Sequence, residues 1–191
     1  MDSTNPSPAP AATPPDTPAL QATCQWLERA VIGLNLCPFA KAVHLKRQIR
    51  WVESPATSVE ALLAELLDEL KLLAETPAAQ VDTTLLVHPQ VMQDFLDYND
   101  FLELADDAIE ELGLSGVLQV ASFHPQYRFE GTGEDDPGNL SNRAPFPTLH
   151  LLREDSVDRA VDAFPEAESI FEHNIDTLQR LGFEGWRKLL A

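Results

Sequence analysis

Cysteine is scarce in this 191-residue chain: Cys24 and Cys37 are the whole complement. Two cysteines are too few for a disulfide framework, and twelve intervening residues are not metal-knuckle spacing, so a reducing compartment fits best. Basic charge is equally thin. Thirteen Lys and Arg face thirty-one Asp and Glu, a formal net charge of −18. Such a surface repels nucleic-acid phosphates and anionic lipid, so neither nucleic acid nor membrane is expected as a partner. Nowhere do eighteen apolar residues follow one another, and the amino terminus has no basic start leading into an apolar run. These absences disfavour a spanning helix and an export signal, and a cytoplasmic location is expected.

What is present fits one domain, because 191 residues with 44% hydrophobic content supply one good core but hardly two. Residues 1–18 hold six prolines among Ala, Ser, Thr and Asp and read as a disordered leader. The domain is expected over 19–191. Leu20, Cys24, Leu27, Val31 and Leu34 recur at helical spacing, which predicts a helix ending near Gly33. LCPFAKAVHLKR follows as a short helix with Pro38 in its first turn and Cys37 just before it. Gln48 to Glu53 reads as a strand, and Ser58 opens a leucine-rich helix to about Glu75. TTLLVHP is a strand covered on both faces and stopped by Pro89. The apolar stripe Val91, Phe95, Tyr98, Leu102, Ala105, Ile109 and Leu112 predicts a long helix, with a kink at Asn99 and a stop at Gly113. Val117 to Phe123 is a strand halted by His124-Pro125.

From Gln126 to Pro147 the periodicity disappears, and loops of that length inside a domain are usually functional or disordered. Thr148 to Glu154 reads as a strand, Asp155 as a helix cap, and Pro165 as the start of terminal helices carrying Phe171, Ile175, Leu178 and Trp186. The fold class is therefore α/β with an α+β tendency: a four-stranded mixed sheet flanked by helices, its last strand returning antiparallel after the long loop. In open α/β sheets, ligands bind beyond the carboxyl ends of the parallel strands. His88-Pro89-Gln90 and His124-Pro125-Gln126 both fall there, at one expected sheet edge.

LNLCPFAKAV, TTLLVHP, DFLDYNDFLELAD, GVLQVASFHPQYRFEGT, the paired aspartates with Asn142-Arg143, and PTLHLLRE stand in a familiar order. The chain resembles the bacterial family catalogued as domain of unknown function 1415, from about Ala19 to Leu190. That resemblance implies no activity, substrate, cofactor or catalytic residue.

The residues themselves nominate a site. Cys37 ahead of a helix with Lys41 nearby suits a nucleophile, or else is a small buried hydrophobe; Cys24 falls on the first helix's apolar stripe. His88, His124 and His150 are candidates for acid–base or binding roles, or are locally hydrogen-bonded strand residues. No two of these three have close metal-motif spacing, so no metal is expected, and the cofactor is left open. His44 and His173 fall on charged helices. Asp135 and Asp136 orient a histidine or make the turn before Pro137; Asn139 and Asn142 bind a ligand or their own backbone. Arg143 grips a carboxylate or phosphate, or pairs with those aspartates. Taken together, these residues describe a small enzyme acting on a small anionic metabolite. His124 is its acid or base, Asp135 or Asp136 orients His124, and Cys37 is the nucleophile. The alternative is a noncatalytic module that binds a small ligand or regulates a partner.

Overall fold

The computed structural model describes residues 15–164 and 169–191. Most of the predicted leader, residues 1–14, and the helix start at Pro165 lie outside the described residues. Helix α1 (Pro18–Trp26) begins with proline at its first position, and Thr17 accepts from the Leu20 N–H at 3.2 Å as its cap. The same axis continues as a π-helical turn over Leu27–Ile32 and stops at Gly33, where an added Cβ would stand 2.2 Å from the Arg29 carbonyl oxygen. Short α2 (Ala40–Leu45) follows. It starts later than the sequence predicts, with Phe39 as its cap residue, so Pro38 lies in the preceding turn.

Strand β1 (Ile49–Glu53), helix α3 (Val59–Glu75), strand β2 (Thr83–Val87), helix α4 (Phe95–Glu111) and strand β3 (Leu118–Phe123) alternate along the chain. Strand β4 (Thr148–Arg153) comes after the long connection, then α5 (Glu154–Asp162) and α6 (Ile170–Leu190), which is broken at Gly182 by a φ of +63°. Helix α4 runs without a kink at Asn99, and it starts at Phe95 rather than at Val91. Asp94 Oδ1 accepts from the Leu96 and Asp97 N–H groups at 2.8 and 3.3 Å and fixes that start, leaving Val91 and Met92 in the preceding loop.

The sheet order is β1-β2-β4-β3, with β1 and β2 parallel and β4 antiparallel to both its neighbours. The α4 crossover leaves a gap one strand wide between β2 and β3, and β4 fills it. A chain leaving the carboxyl end of β3 and turning back must run antiparallel, which gives the mixed sheet its sense. His88 and His124, immediately after β2 and β3, therefore flank the start of β4 at one sheet edge.

Alternation divides the strand residues between two faces. One face carries Leu86, Leu118, Leu149 and Leu151 against α3 and α4. Leu62, Leu66, Leu70 and Leu73 form the buried stripe of α3 there, each fully shielded, and such burial contributes about 1.5–3 kcal/mol per side chain. Arg50 and Glu69 tie β1 to α3 through two parallel contacts of 2.7 and 2.8 Å. On the opposite face, Ile49, Leu85, His150 and Phe123 look toward α1, its π-helical extension, α2 and α5.

Candidate functional site

At the sheet edge the two histidines do one job from two strands. His88 is fully buried; its Nδ1 lies 3.1 Å from the Val91 carbonyl oxygen and donates to it. His124, 1% exposed, places Nε2 3.1 Å from the Met92 carbonyl oxygen and donates there, while Nδ1 accepts from the Gln126 N–H at 3.0 Å. Both rings thus hold the loop between β2 and α4, whose Met92 has a φ of +57°. Tyr98 lies between them, its ring centroid 5.6 Å from His88 and 5.1 Å from His124, and its hydroxyl donates to the Thr148 carbonyl at 2.8 Å. Burial pushes the His88 pKa down to about 4, and burial lowers that of His124 as well. His88 Nε2 is buried without a hydrogen-bond partner among the described residues.

The long connection is ordered around its asparagines. Asp136 caps a 3₁₀ helix over Pro137–Asn142, its Oδ1 accepting from Gly138 N–H at 2.8 Å. Asn139 is fully buried: Oδ1 accepts from the Phe129 N–H (3.0 Å) and the Thr132 hydroxyl (2.9 Å), and Nδ2 donates to the Gly133 carbonyl (2.8 Å). Asn142 Nδ2 donates to the Ser122 carbonyl at 3.1 Å, stitching the loop to β3. Arg143 donates through Nε to the Tyr127 carbonyl (3.0 Å) and through Nη2 to the Glu134 carbonyl (2.9 Å), with the guanidinium 5.8 Å from the centre of the Phe183 ring. Partial burial lowers the Arg143 pKa, opposed by Glu134 and Asp135. Arg143 and Asp135 line a cleft of about 410 Å³ with Asp94, Phe95, Gln126 and Arg128. His124 lies behind that cleft, its ring 5.5 Å from Phe95 and both nitrogens engaged by backbone.

Cys37 and His150 lie elsewhere, in a cavity of about 660 Å³ between the sheet and the helices α2 and α5. Its floor is built from β1, β2, β4 and β3 through Ile49, Leu85, His150, Ala121 and Phe123. His150 occupies the middle of that floor because it pairs with Leu85 on one side and Ala121 on the other. The roof comes from Phe39, Ala40 and Val43 around α2 and from Val157, Ala160 and Phe164 around α5. Phe39 and Phe164 meet edge to face with centroids 6.0 Å apart, joining the two roof segments. Neither α2 nor α5 fully buries a side chain, because their apolar faces look into this space. His150 has a 6.0 Å ring contact with Phe123 and no hydrogen-bond partner among the described residues. Desolvation alone pushes its pKa down to about 4, so the imidazole is neutral at neutral pH. At the far end Ser156 Oγ donates to Asp82 at 2.6 Å.

The residues nominated from sequence therefore fall into three places: a buried edge cluster (His88, His124), a loop and its cleft (Asp135, Asp136, Asn139, Asn142, Arg143), and the cavity (Cys37, His150). The roof residues Phe39, Val43, Val157, Ala160 and Phe164 were not nominated. The signal was the spacing of Val157, Ala160 and Phe164, an apolar stripe along α5 and the turn after it. Among the described residues no group of three or more His, Cys, Asp or Glu gathers to hold a metal ion, and no helix is long and apolar enough to cross a membrane.

A mixed four-stranded sheet, close-packed by helices on one face and hollow beneath helices on the other, defines a single-domain α/β protein. Residues 18–188 match the family described as Protein of unknown function (DUF1415), and the chain belongs to that family. No curated protein and no solved structure matches it.

Proposed function

We propose that this protein is a small-molecule-binding domain whose ligand enters the cavity between the sheet and helices α2 and α5. The observation that carries this reading is the cavity itself: about 660 Å³, walled mainly by apolar and aromatic side chains, with one imidazole in its floor that has no hydrogen-bond partner among the described residues. Ligand sites are commonly clefts of about 300–1,000 Å³ with apolar walls and a few polar groups that fix orientation. Protein interiors otherwise fill such space, since unfilled volume forfeits contact energy. The catalytic reading, with His124 as acid or base, Asp135 or Asp136 orienting it, Arg143 holding an anionic metabolite and Cys37 as nucleophile, has less support. His124 spends both nitrogens on backbone groups, and Cys37 lines the cavity rather than the cleft of Arg143.

The test is a thermal-shift screen with small apolar and amphipathic compounds on the parent chain and on Ala160→Trp and Val43→Trp, which fill the cavity from either roof segment. Ligands that bind the native state raise its melting temperature. The expected result is stabilisation of the parent by several compounds, lost in both filled variants. A parent that responds to nothing, or filled variants that respond as the parent does, would overturn the proposal.

A further inference from the structure

The cavity also constrains the charge of what it accepts, an argument that rests on the binding role proposed above. Two groups near its wall carry charge at neutral pH, Asp82 and Arg153. Asp82 is negative and already accepts the Ser156 hydroxyl at 2.6 Å. The Arg153 guanidinium donates to the carbonyls of Leu73, Thr76 and Val81, the last at 3.2 Å through Nη2, and its positive charge is offset by the Asp82 carboxylate, which acts on it electrostatically. His150, in the middle of the floor, is held neutral at neutral pH by desolvation. An anion entering this space would give up its hydration to a wall whose one cation, Arg153, is held on three carbonyls and already offset by Asp82, beneath a surface of net charge −18. A cation would find Asp82 at one end, but with that carboxylate already hydrogen-bonded to Ser156 and set against Arg153.

A neutral imidazole has one N–H to donate and one nitrogen to accept, and neither is met among the described residues. An apolar ligand alone would seal both away from water, the costly arrangement for a polar group. A ligand with one hydroxyl or carbonyl at the right place would meet one of the two ring nitrogens while its body covers Leu85, Phe123, Val157 and Phe164.

We propose that the cavity takes an uncharged, largely apolar small molecule, an aromatic ring or short chain bearing a single hydroxyl or carbonyl that hydrogen-bonds His150.

Three probes of nearly one shape separate the possibilities: para-butylphenol, para-butylbenzoate and butylbenzene, titrated at neutral pH by tryptophan fluorescence, Trp26 being the one of the three tryptophans that borders the cavity, and by thermal shift. Para-butylphenol is expected to bind at least about ten-fold more tightly than the benzoate, because a desolvated carboxylate meets only an Arg153 whose charge Asp82 already offsets. It should also exceed butylbenzene by about two- to ten-fold, the worth of one hydrogen bond, and this second margin should vanish in His150→Phe while butylbenzene still binds. Benzoate binding as tightly as the phenol would overturn the uncharged class and leave the binding cavity standing. A phenol margin over butylbenzene that survives His150→Phe would overturn His150 as the polar contact. No binding of any of the three would overturn the binding role itself, so the two failures are distinct.

Discussion

On the side of the sheet covered by α3 and α4, Leu62, Leu66, Leu70 and Leu73 meet Leu86, Leu149 and Leu151, all but fully shielded. On the side covered by α2 and α5, the same strands present Ile49, Leu85, Ala121, His150 and Phe123 to a space of about 660 Å³. The strands are shared, so the difference comes from the helices. Helix α3 has seventeen residues and brings a leucine at every turn, whereas α2 has six and α5 nine, with alanines at Ala40, Ala42 and Ala160 where α3 has leucines. Short helices with small residues stand off the sheet instead of filling the groove beneath them. One face therefore supplies stability, and the other is free to hold something else.

The sharpest way to break this comparison is to truncate one residue on each face. Leu66→Ala on α3 should cost about 2–5 kcal/mol, since the lost transfer energy is joined by a new void in a filled region. Val157→Ala on α5 should cost less than about 1 kcal/mol, because its methyl groups already border open volume and lose few contacts. Urea unfolding of the two variants decides it: comparable losses would mean that the space beneath α5 closes in solution.

Acid probes the same contrast with a smaller effect. His88 in the sheet-edge cluster and His150 in the cavity floor both have pKa values near 4, below the roughly 6.5 of an unfolded histidine. Between those values the unfolded chain binds protons that the folded chain does not. Stability is thus fully present above pH of about 6.5 and falls as the pH drops toward about 4, by about 1.4 kcal/mol per pH unit for each ring at most. His124 contributes in the same direction. His150→Phe should flatten this acid limb by one histidine's share while leaving that of His88. An unchanged limb in His150→Phe would mean that water fills the cavity and solvates the ring.

The sheet was readable because its determinants are local and directional. Two strands ending in His-Pro, a helix between them and a long return segment dictate that β4 runs antiparallel and that His88 and His124 share an edge. The cap at Asp94 was not readable against the stripe that begins at Val91, since Val91 and Met92 keep helical spacing yet lie in a loop with a positive φ at Met92. That loop also decides what the histidines touch: the carbonyls of Val91 and Met92 are partners only once it has folded back. The cavity was the least visible feature. Val157, Ala160 and Phe164 read as an amphipathic helix whether the space beneath them is filled or empty, because the stand-off between helix and sheet is set by both surfaces together. Cys37 and His150 were each nominated from their own segments, and only the tertiary fold gathers them around one volume.

The two cysteines give the finest test of the difference between the cavity and its surroundings. Cys24 on α1 has its thiol pKa pushed up to about 11, first by burial and then by the Glu28 carboxylate beside it. At pH 8 only about one Cys24 in a thousand is a thiolate, and the thiolate is the species that alkylates. Cys37→Ser should therefore be nearly inert to iodoacetamide at that pH, while Cys24→Ser retains whatever reactivity the cavity wall allows. Filling the cavity sharpens the result: adding Ala160→Trp to Cys24→Ser should slow modification of Cys37 severalfold, since both residues line the same space. Mass spectrometry of the modified chains reads both outcomes. Rapid labelling of Cys24 in Cys37→Ser would mean that α1 opens readily, and a Cys37 indifferent to the new tryptophan would mean that its thiol is reached from outside the cavity.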